Sequence, residues 1–204
     1  MYIPKHFKLE DEAIINEIID NYSFATLVSQ HNGEPYATHL PLVWKPDESA
    51  LYGHFAKKNG QWHDIENERV LAIFQGPHCY ISSTWYETKR TVSTWNYVSV
   101  HLYGTLEILT EDKKIYESLE ELIIKYEGAG SSNELSSLDP NFVEGMVKGI
   151  VPFKIKVEEI QAKAKLSQNH PLERQKRVIK KLEKSKDENE RLIAAMMKRN
   201  LNND

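Results

Sequence analysis

The sequence predicts an α+β chain, mainly β, in which antiparallel strands close into a barrel with peripheral helices and a C-terminal helical tail. Three observations carry that prediction. Asn32-Gly33, the favoured centre of a two-residue hairpin, separates the strand-like run Ser23–Gln30 from Tyr36–Trp44. In the second run Tyr36, Thr38, Leu40, Leu42 and Trp44 alternate with Ala37, His39, Pro41 and Val43, the period of a strand. Further short apolar runs follow between turns, which suits successive antiparallel strands better than strand–helix–strand units.

Asp11–Tyr22 reads as an amphipathic helix, with Ile14/Ile18 and Ile15/Ile19 on one face and Asp11 and Glu12 at the positive end of its dipole. Pro41 brings no N–H to a ladder and places its strand at an edge or a bulge. Lys45–Ser49 is a turn and Leu51–Phe55 a strand; Lys57–Glu66 has the pattern of a short helix turning Trp62 and Ile65 inward. Val70–Phe74 and His78–Ile81, punctuated by Gly76-Pro77, are two strands or one long bent one. Trp95–Leu109 is a strand in which Gly104 marks a bend or bulge. Glu111–Tyr126 repeats Ile115, Leu119, Leu122 and Tyr126 at helical spacing, with Thr110 as N-cap. The polar connector Gly128–Pro140 leads to a short helix at Asn141–Lys148, then to strands at Val151–Val157 and Ile160–Leu166. Two helices make the tail: Pro171–Lys184, lined by Leu172, Ile179 and Leu182, and Asp187–Asn200, lined by Leu192, Ile193, Met196 and Met197.

The 204 residues suit one domain with an appendage, here a barrel domain at 1–169 and a basic helical extension at 170–204. Charge divides along similar lines. Residues 163–204 hold twelve Lys/Arg against six Asp/Glu, a formal +6, which leaves fourteen against twenty-four, or −10, in residues 1–162. An acidic body repels nucleic acid, so if DNA is a partner the expectation is contact through the basic tail or indirectly. Cys79 is the only cysteine, which removes any internal disulfide and favours a reducing compartment. No apolar run approaches the roughly eighteen residues of a membrane span, and the expectation is a cytoplasmic protein without a membrane partner.

No Gly-rich dinucleotide fingerprint, phosphate loop or Gly-x-Ser-x-Gly elbow is present. The eight histidines form no HxH or HxxxH pair, so no metal site is expected. The positive signal is Tyr36–Pro41 followed by Gly53–Trp62. His54, Lys57, Asn59 and Gln61 gather polar groups at a strand end and a helix start, an arrangement that attracts a phosphate. With the aromatic stretch Trp85, Tyr86, Trp95 and Tyr97, these pieces suit flavin mononucleotide (FMN): a phosphate, a polar chain and a flat ring. A solvated turn beside a satisfied core histidine has the same composition. Thr38 and His39 point to opposite faces of one strand and share a pocket only across a bulge. No residue stands out as a catalytic proton donor; His39 and His54 are the first candidates.

Several motifs together resemble the PaiB family of FMN-binding negative transcriptional regulators. They are Met1–Phe7, Ala37–Leu42, Gly53-His54-x-Ala56-x-x-Asn59-x-Gln61-Trp62, Gly76-Pro77-His78-x-Tyr80-Ile81-Ser82 with Trp85-Tyr86, Thr94–Tyr97 and Lys165–Asn169. The resemblance covers essentially the whole chain. It implies an FMN-binding split β-barrel that forms a homodimer with flavin near the subunit interface, and repression of sporulation and degradative-enzyme genes. It also implies that Thr38, His39, Leu40 and Pro41 lie along the flavin. The same resemblance implies that His54, Ala56, Lys57, Asn59, Gln61 and Trp62 surround the ribityl phosphate and that Trp95 and Asn96 reach across the dimer. The different reading, on the same fold, is a flavin-dependent oxidoreductase acting on a small molecule. Ser83 and Ser93 stand where the family pattern carries prolines, which implies a looser aromatic loop, by roughly 0.4–1 kcal/mol each.

Overall fold

Asn32 and Gly33 take φ of 52° and 80°, the paired positive values of a type I′ turn. They join β1 (Phe24–His31) to β2 (Glu34–Pro41) in register from His31↔Glu34 to Phe24↔Pro41. The computed structural model describes residues 1–132 and 134–202. The other strands are β3 (Val43–Lys45), β4 (Ala50–Ala56), β5 (Arg69–Ile81), β6 (Thr94–Ile108) and β7 (Ile150–Lys165). The α-helices are α1 (Glu12–Asn21), α2 (Asp112–Glu127), α3 (Pro140–Val147), α4 (Leu172–Leu182) and α5 (Glu188–Asn202). The strands form one antiparallel sheet in the order β2-β1-β5-β6-β7-β4-β3. Two compact units result: one of Asn16–Phe74 and His101–Ile160, the other of Met1–Ile15, Gln75–Val100 and the chain from Gln161 onward.

In the first unit the sheet curls without closing. Its two edges, β2 and β3, are consecutive in the chain, with Leu42 alone between them. This is the split barrel that the resemblance implies, and a covalent link of one residue crosses the split. Leu42 is 1% exposed, and its N–H donates to the Ser23 carbonyl at 2.9 Å. Gly53 makes room for it, since a Cβ there would stand 2.7 Å from Leu42 Cδ2. Leu27, Leu51, Phe55, Phe74, Leu102, Leu106, Phe153 and Ile155 fill the interior, each contributing about 1.5–3 kcal/mol on burial. Phe55 and Phe153 meet with ring centres 4.7 Å apart. α2 packs over this unit through Lys45–Glu121 at 2.5 Å and Ser23–Tyr126 at 2.7 Å.

Three expectations need correction. The helix expected at Lys57–Glu66 is a five-residue 3-10 turn, Gly60–Asp64; Ile65 is buried as expected, but Gln61 rather than Trp62 goes in with it. α2 starts after Glu111 rather than Thr110, and no side chain caps it. The separate strands expected at 151–157 and 160–166 are one strand, β7. Of the two readings at Gly76-Pro77, the single long strand is found. Burial alternates on Val70, Ala72 and Phe74 before the pair and on Pro77, Cys79 and Ile81 after it. Gly76-Pro77 thus shifts the phase of β5 instead of ending it.

The second unit carries the tail. α4 buries Gln175, Val178, Ile179 and Leu182 while Leu172 stays 52% exposed; α5 buries Ile193, Ala194 and Met197, with Leu192 at the surface. The loop between β5 and β6 is tied to α4. Arg174 grips Glu87 at 2.6 Å and lays its guanidinium 4.8 Å from the Tyr86 ring centre. Ser83 N–H donates to Ser93 Oγ at 3.0 Å, and the two hydroxyls meet at 3.2 Å. Ser83 and Ser93 therefore fasten the base of this loop to itself, which opposes the loosening expected there.

At Gly104 β6 passes close to β7: a Cβ there would stand 2.1 Å from the Lys156 carbonyl oxygen. Gly104→Ala should destabilise the protein by about 1–3 kcal/mol, read as a lower Tm. Arg174 beside Glu87 holds its carboxyl down at about 2 from an ordinary 4.5. A depressed carboxylate pKa stabilises above its unfolded value and loses that effect as pH falls through the folded one. The Tm gap between wild type and Glu87→Gln should therefore shrink as pH drops from 5 toward 2, the window those two values bound.

Candidate functional site

The alternation of β2 decides which of its residues face the barrel interior. Thr38 pairs with Leu27 and Leu40 with Ala25, both inward, while His39 pairs with Thr26 on the outer face. Thr38 meets the 3-10 turn. Gln61 is 0% exposed; its Oε1 accepts from Thr38 Oγ1 at 2.5 Å and its amide donates to Ser29 Oγ at 2.9 Å and Leu27 O at 3.3 Å. Asn59 donates to Thr38 Oγ1 at 2.9 Å and accepts from the Gln61 N–H at 3.0 Å, which caps the turn. A buried amide is tolerated because each polar atom finds a partner. These three side chains stitch the β1–β2 hairpin to the turn.

The outer-facing residues have different surroundings. His39 is exposed and stacks on Phe24, ring centres 6.2 Å apart. Pro41 ends β2 at the sheet edge, as its missing N–H requires. His54, half-buried on β4 opposite Pro152, has its pKa lowered by burial, so its imidazole is neutral at pH 7. Ala56 ends β4 at the surface. Lys57 is exposed, and its Nζ lies 4.7 Å from the Trp62 ring centre while Trp62 Nε1 donates to Lys57 O at 3.0 Å. The anion site expected from a helix N-terminus here loses that component, because the turn has five residues and its cap is Asn59.

In the second unit, Asn96 is fully buried. Its amide donates to Ser167 Oγ at 3.0 Å and lies 3.7 Å from Met197 Sδ, so it anchors the turn before α4 and the helix α5. Its neighbour Trp95 points the other way and is 47% exposed.

A groove of about 610 Å³ in the first unit is lined by Gln30, Pro35, Asp64, Glu68, Arg69 and Tyr103, among others. The sequence reading missed it because its walls come from separate segments. Asp64 is held by His31 Nδ1 at 2.8 Å and the Asn32 N–H at 2.9 Å, and these bonds, His31 first, lower its pKa. Arg69 is bound by Glu158 at 2.8 Å and Glu159 at 2.9 Å. With its one arginine neutralised and two carboxylates on its wall, the groove repels a phosphate. Among the described residues no cluster of three or more His, Cys, Asp or Glu could hold a metal ion, and no helix is long and apolar enough to cross a membrane.

The chain is an antiparallel split barrel flanked by helices. Residues 1–159 match the family described as a putative FMN-binding domain. Protease synthase and sporulation protein PAI 2 of Bacillus subtilis (strain 168) is 44% identical over 201 residues, covering 97% of this chain and 96% of its own length. The chain belongs to that FMN-binding domain family and, within it, to the PaiB proteins. Two solved structures share the fold. The flavocytochrome Anf3 of Azotobacter vinelandii matches with a TM-score of 0.64 and 15% identity over 80% of this chain and 72% of its own. The FAD and heme binding protein of Mycobacterium smegmatis matches with a TM-score of 0.63 and 14% identity over 82% and 78%.

FMN is the cofactor of this family, and the residues fit it selectively. Lys57 is an exposed cation with no ion-pair partner among the described residues, and Trp62 beside it offers a flat face. The polar atoms of Thr38, Asn59 and Gln61 are already bonded to one another. Gln61→Leu should leave Ser29 and Thr38 without that partner and cost about 1–3 kcal/mol, measured by urea unfolding.

Proposed function

We propose that this protein binds FMN and acts as a negative transcriptional regulator, repressing genes for sporulation and degradative enzymes. What carries the reading is the likeness along nearly the full chain to a relative named for protease synthesis and sporulation. Lys57 meets the flavin phosphate, with His54 and Trp62 beside it. Thr38, Leu40, Asn59 and Gln61 act by holding that surface in place, with His39, Pro41 and Ala56 on its outer side. Bound FMN supplies a redox-active ring whose state a regulator can report. FMN added to the apoprotein should give a shifted flavin spectrum, and Lys57→Ala should weaken binding about tenfold, the size of one lost charge-assisted contact. Unchanged affinity would remove Lys57 from the site.

DNA is contacted through α4. Its outer face sets Lys176, Arg177 and Lys180 around a shallow groove of about 470 Å³; Arg177 pairs with Glu173, while Lys176 and Lys180 have no ion-pair partner among the described residues. Truncating the tail is a poor test, since Ile193 and Met197 are core residues of the second unit. Lys176→Glu with Lys180→Glu should instead weaken DNA binding and flatten its salt dependence; equal binding by this variant would sink the DNA-contact model. The chain forms a homodimer, supported by the apolar outer face of β1 and β5, where Phe24 is 68% exposed beside half-buried Val28, Leu71 and Ile73.

The second reading is a flavin-dependent oxidoreductase acting on a small molecule. His54 favours it, because burial keeps its half-buried imidazole in the neutral form that a general base requires. Rapid reoxidation of photoreduced protein by one specific acceptor, lost in His54→Asn, would establish it.

A further inference from the structure

In the first unit, β1 and β5 separate before either strand runs out. Their ladder extends from Thr26↔Ile73 to Val28↔Leu71, yet β1 continues to His31 and β5 already begins at Arg69. The next outward pair in that register, Gln30 with Arg69, lies outside the ladder. The cause sits at the entry to β5. Leu106 of β6 accepts from the Asn67 N–H at 2.8 Å and donates to the Glu68 carbonyl at 3.1 Å, so it faces two residues, and Asn67 takes a φ of 63°. A bulge of this kind bends and twists the strand that carries it. The groove of about 610 Å³ opens where the strands diverge, with Gln30 from one of them and Glu68 and Arg69 from the other.

Its lining is apolar and acidic together. Half-buried Val28, Leu71 and Tyr103 supply the apolar walls. Asp64 and Glu68 line it directly, and Glu158 and Glu159 hold Arg69 from beside it, so four carboxylates stand against one arginine. Asp64 is shared by His31 and the Asn32 N–H, whereas Glu68 is exposed and forms no ion pair among the described residues. Arg69 already lies 5.4 Å from the Tyr103 ring centre, which leaves that ring as a wall and Glu68 as the charge without a partner.

We propose that this groove binds a small organic cation, a primary ammonium carried on an apolar group, with Glu68 and Asp64 as its counter-charge and Val28, Leu71 and Tyr103 as its apolar walls. Ligand sites commonly enclose about 300–1,000 Å³, and the volume here suits a small molecule. Anions are repelled by the carboxylates, and a neutral molecule gains nothing from Glu68. The apolar face assigned above to the dimer shares Val28 and Leu71 with this groove. Phe24 of that face, however, lies about 20 Å of extended strand from Gln30. Lys57 does not line the groove, so the site is independent of the FMN assignment.

The test is calorimetric titration of the full chain with phenethylammonium, set against phenylethanol as its neutral counterpart and phenylpropionate as its anionic one. The ammonium should bind at least about tenfold tighter than either, with an affinity that falls as salt is raised. Glu68→Gln should weaken it about tenfold at unchanged Tm, as expected for loss of a charge-assisted contact. Val28→Thr, which keeps the shape but adds a hydroxyl, should weaken it about threefold. Lys57→Ala should leave ammonium binding unchanged, whatever it does to FMN. No binding of phenethylammonium, equal affinity for the three probes, equal affinity in Glu68→Gln and wild type, or loss in Lys57→Ala would each overturn the proposal.

Discussion

The barrel unit depends on one geometric constraint: the two edges of its sheet are consecutive in the chain, and a single residue, Leu42, spans the gap. A flat sheet cannot satisfy that connection. The strands must twist and curl until β2 and β3 stand within one residue's reach. Leu42 then becomes a core residue, and its neighbour Gly53 lacks the side chain that would exclude it. The curl leaves β2 with an inner face, where Thr38 and Leu40 point, and an outer one bearing His39. Most of what the surface of this unit can do follows from that division.

Each unit also buries a fully enclosed amide at a junction. Gln61 joins the β1–β2 hairpin to the 3-10 turn, and Asn96 joins β6 to the tail through Ser167 and Met197. Both side chains direct their hydrogen bonds to the scaffold, although both lie in stretches that carry the family resemblance. Their neighbours are the exposed groups, Lys57 with Trp62 in one case and Trp95 in the other. Recognition motifs here thus mix residues that hold the scaffold with residues that face solvent, and only their hydrogen bonds separate the two.

Strand alternation, the Asn32-Gly33 turn and the helical spacing of 111–126 and 171–200 were legible because each is a local, periodic signal. Trp95 stands out in the sequence as an aromatic in a loop-flanking stretch, and in the fold it is 47% exposed. The acid-lined groove at Asp64 and Arg69 was not legible. Its residues are far apart in the chain, and no spacing rule links them. The Ser83–Ser93 contact was hidden for the same reason: one serine in each position reads as a lost proline, while the pair reads as a clasp.

By itself the sequence determined the identity and order of nearly every element, the family, and the cofactor that goes with it, because these rest on local propensity and on ordered motifs. Tertiary structure decided how the sheet edges meet, that Gly76-Pro77 shifts a strand instead of ending it, and that Gln61 and Asn96 face inward. It also brought Gln30, Asp64, Glu68 and Tyr103 to one groove. The reason is physical: inward or outward placement in a strand turns on a shift of one residue, and that shift is set by packing across the sheet.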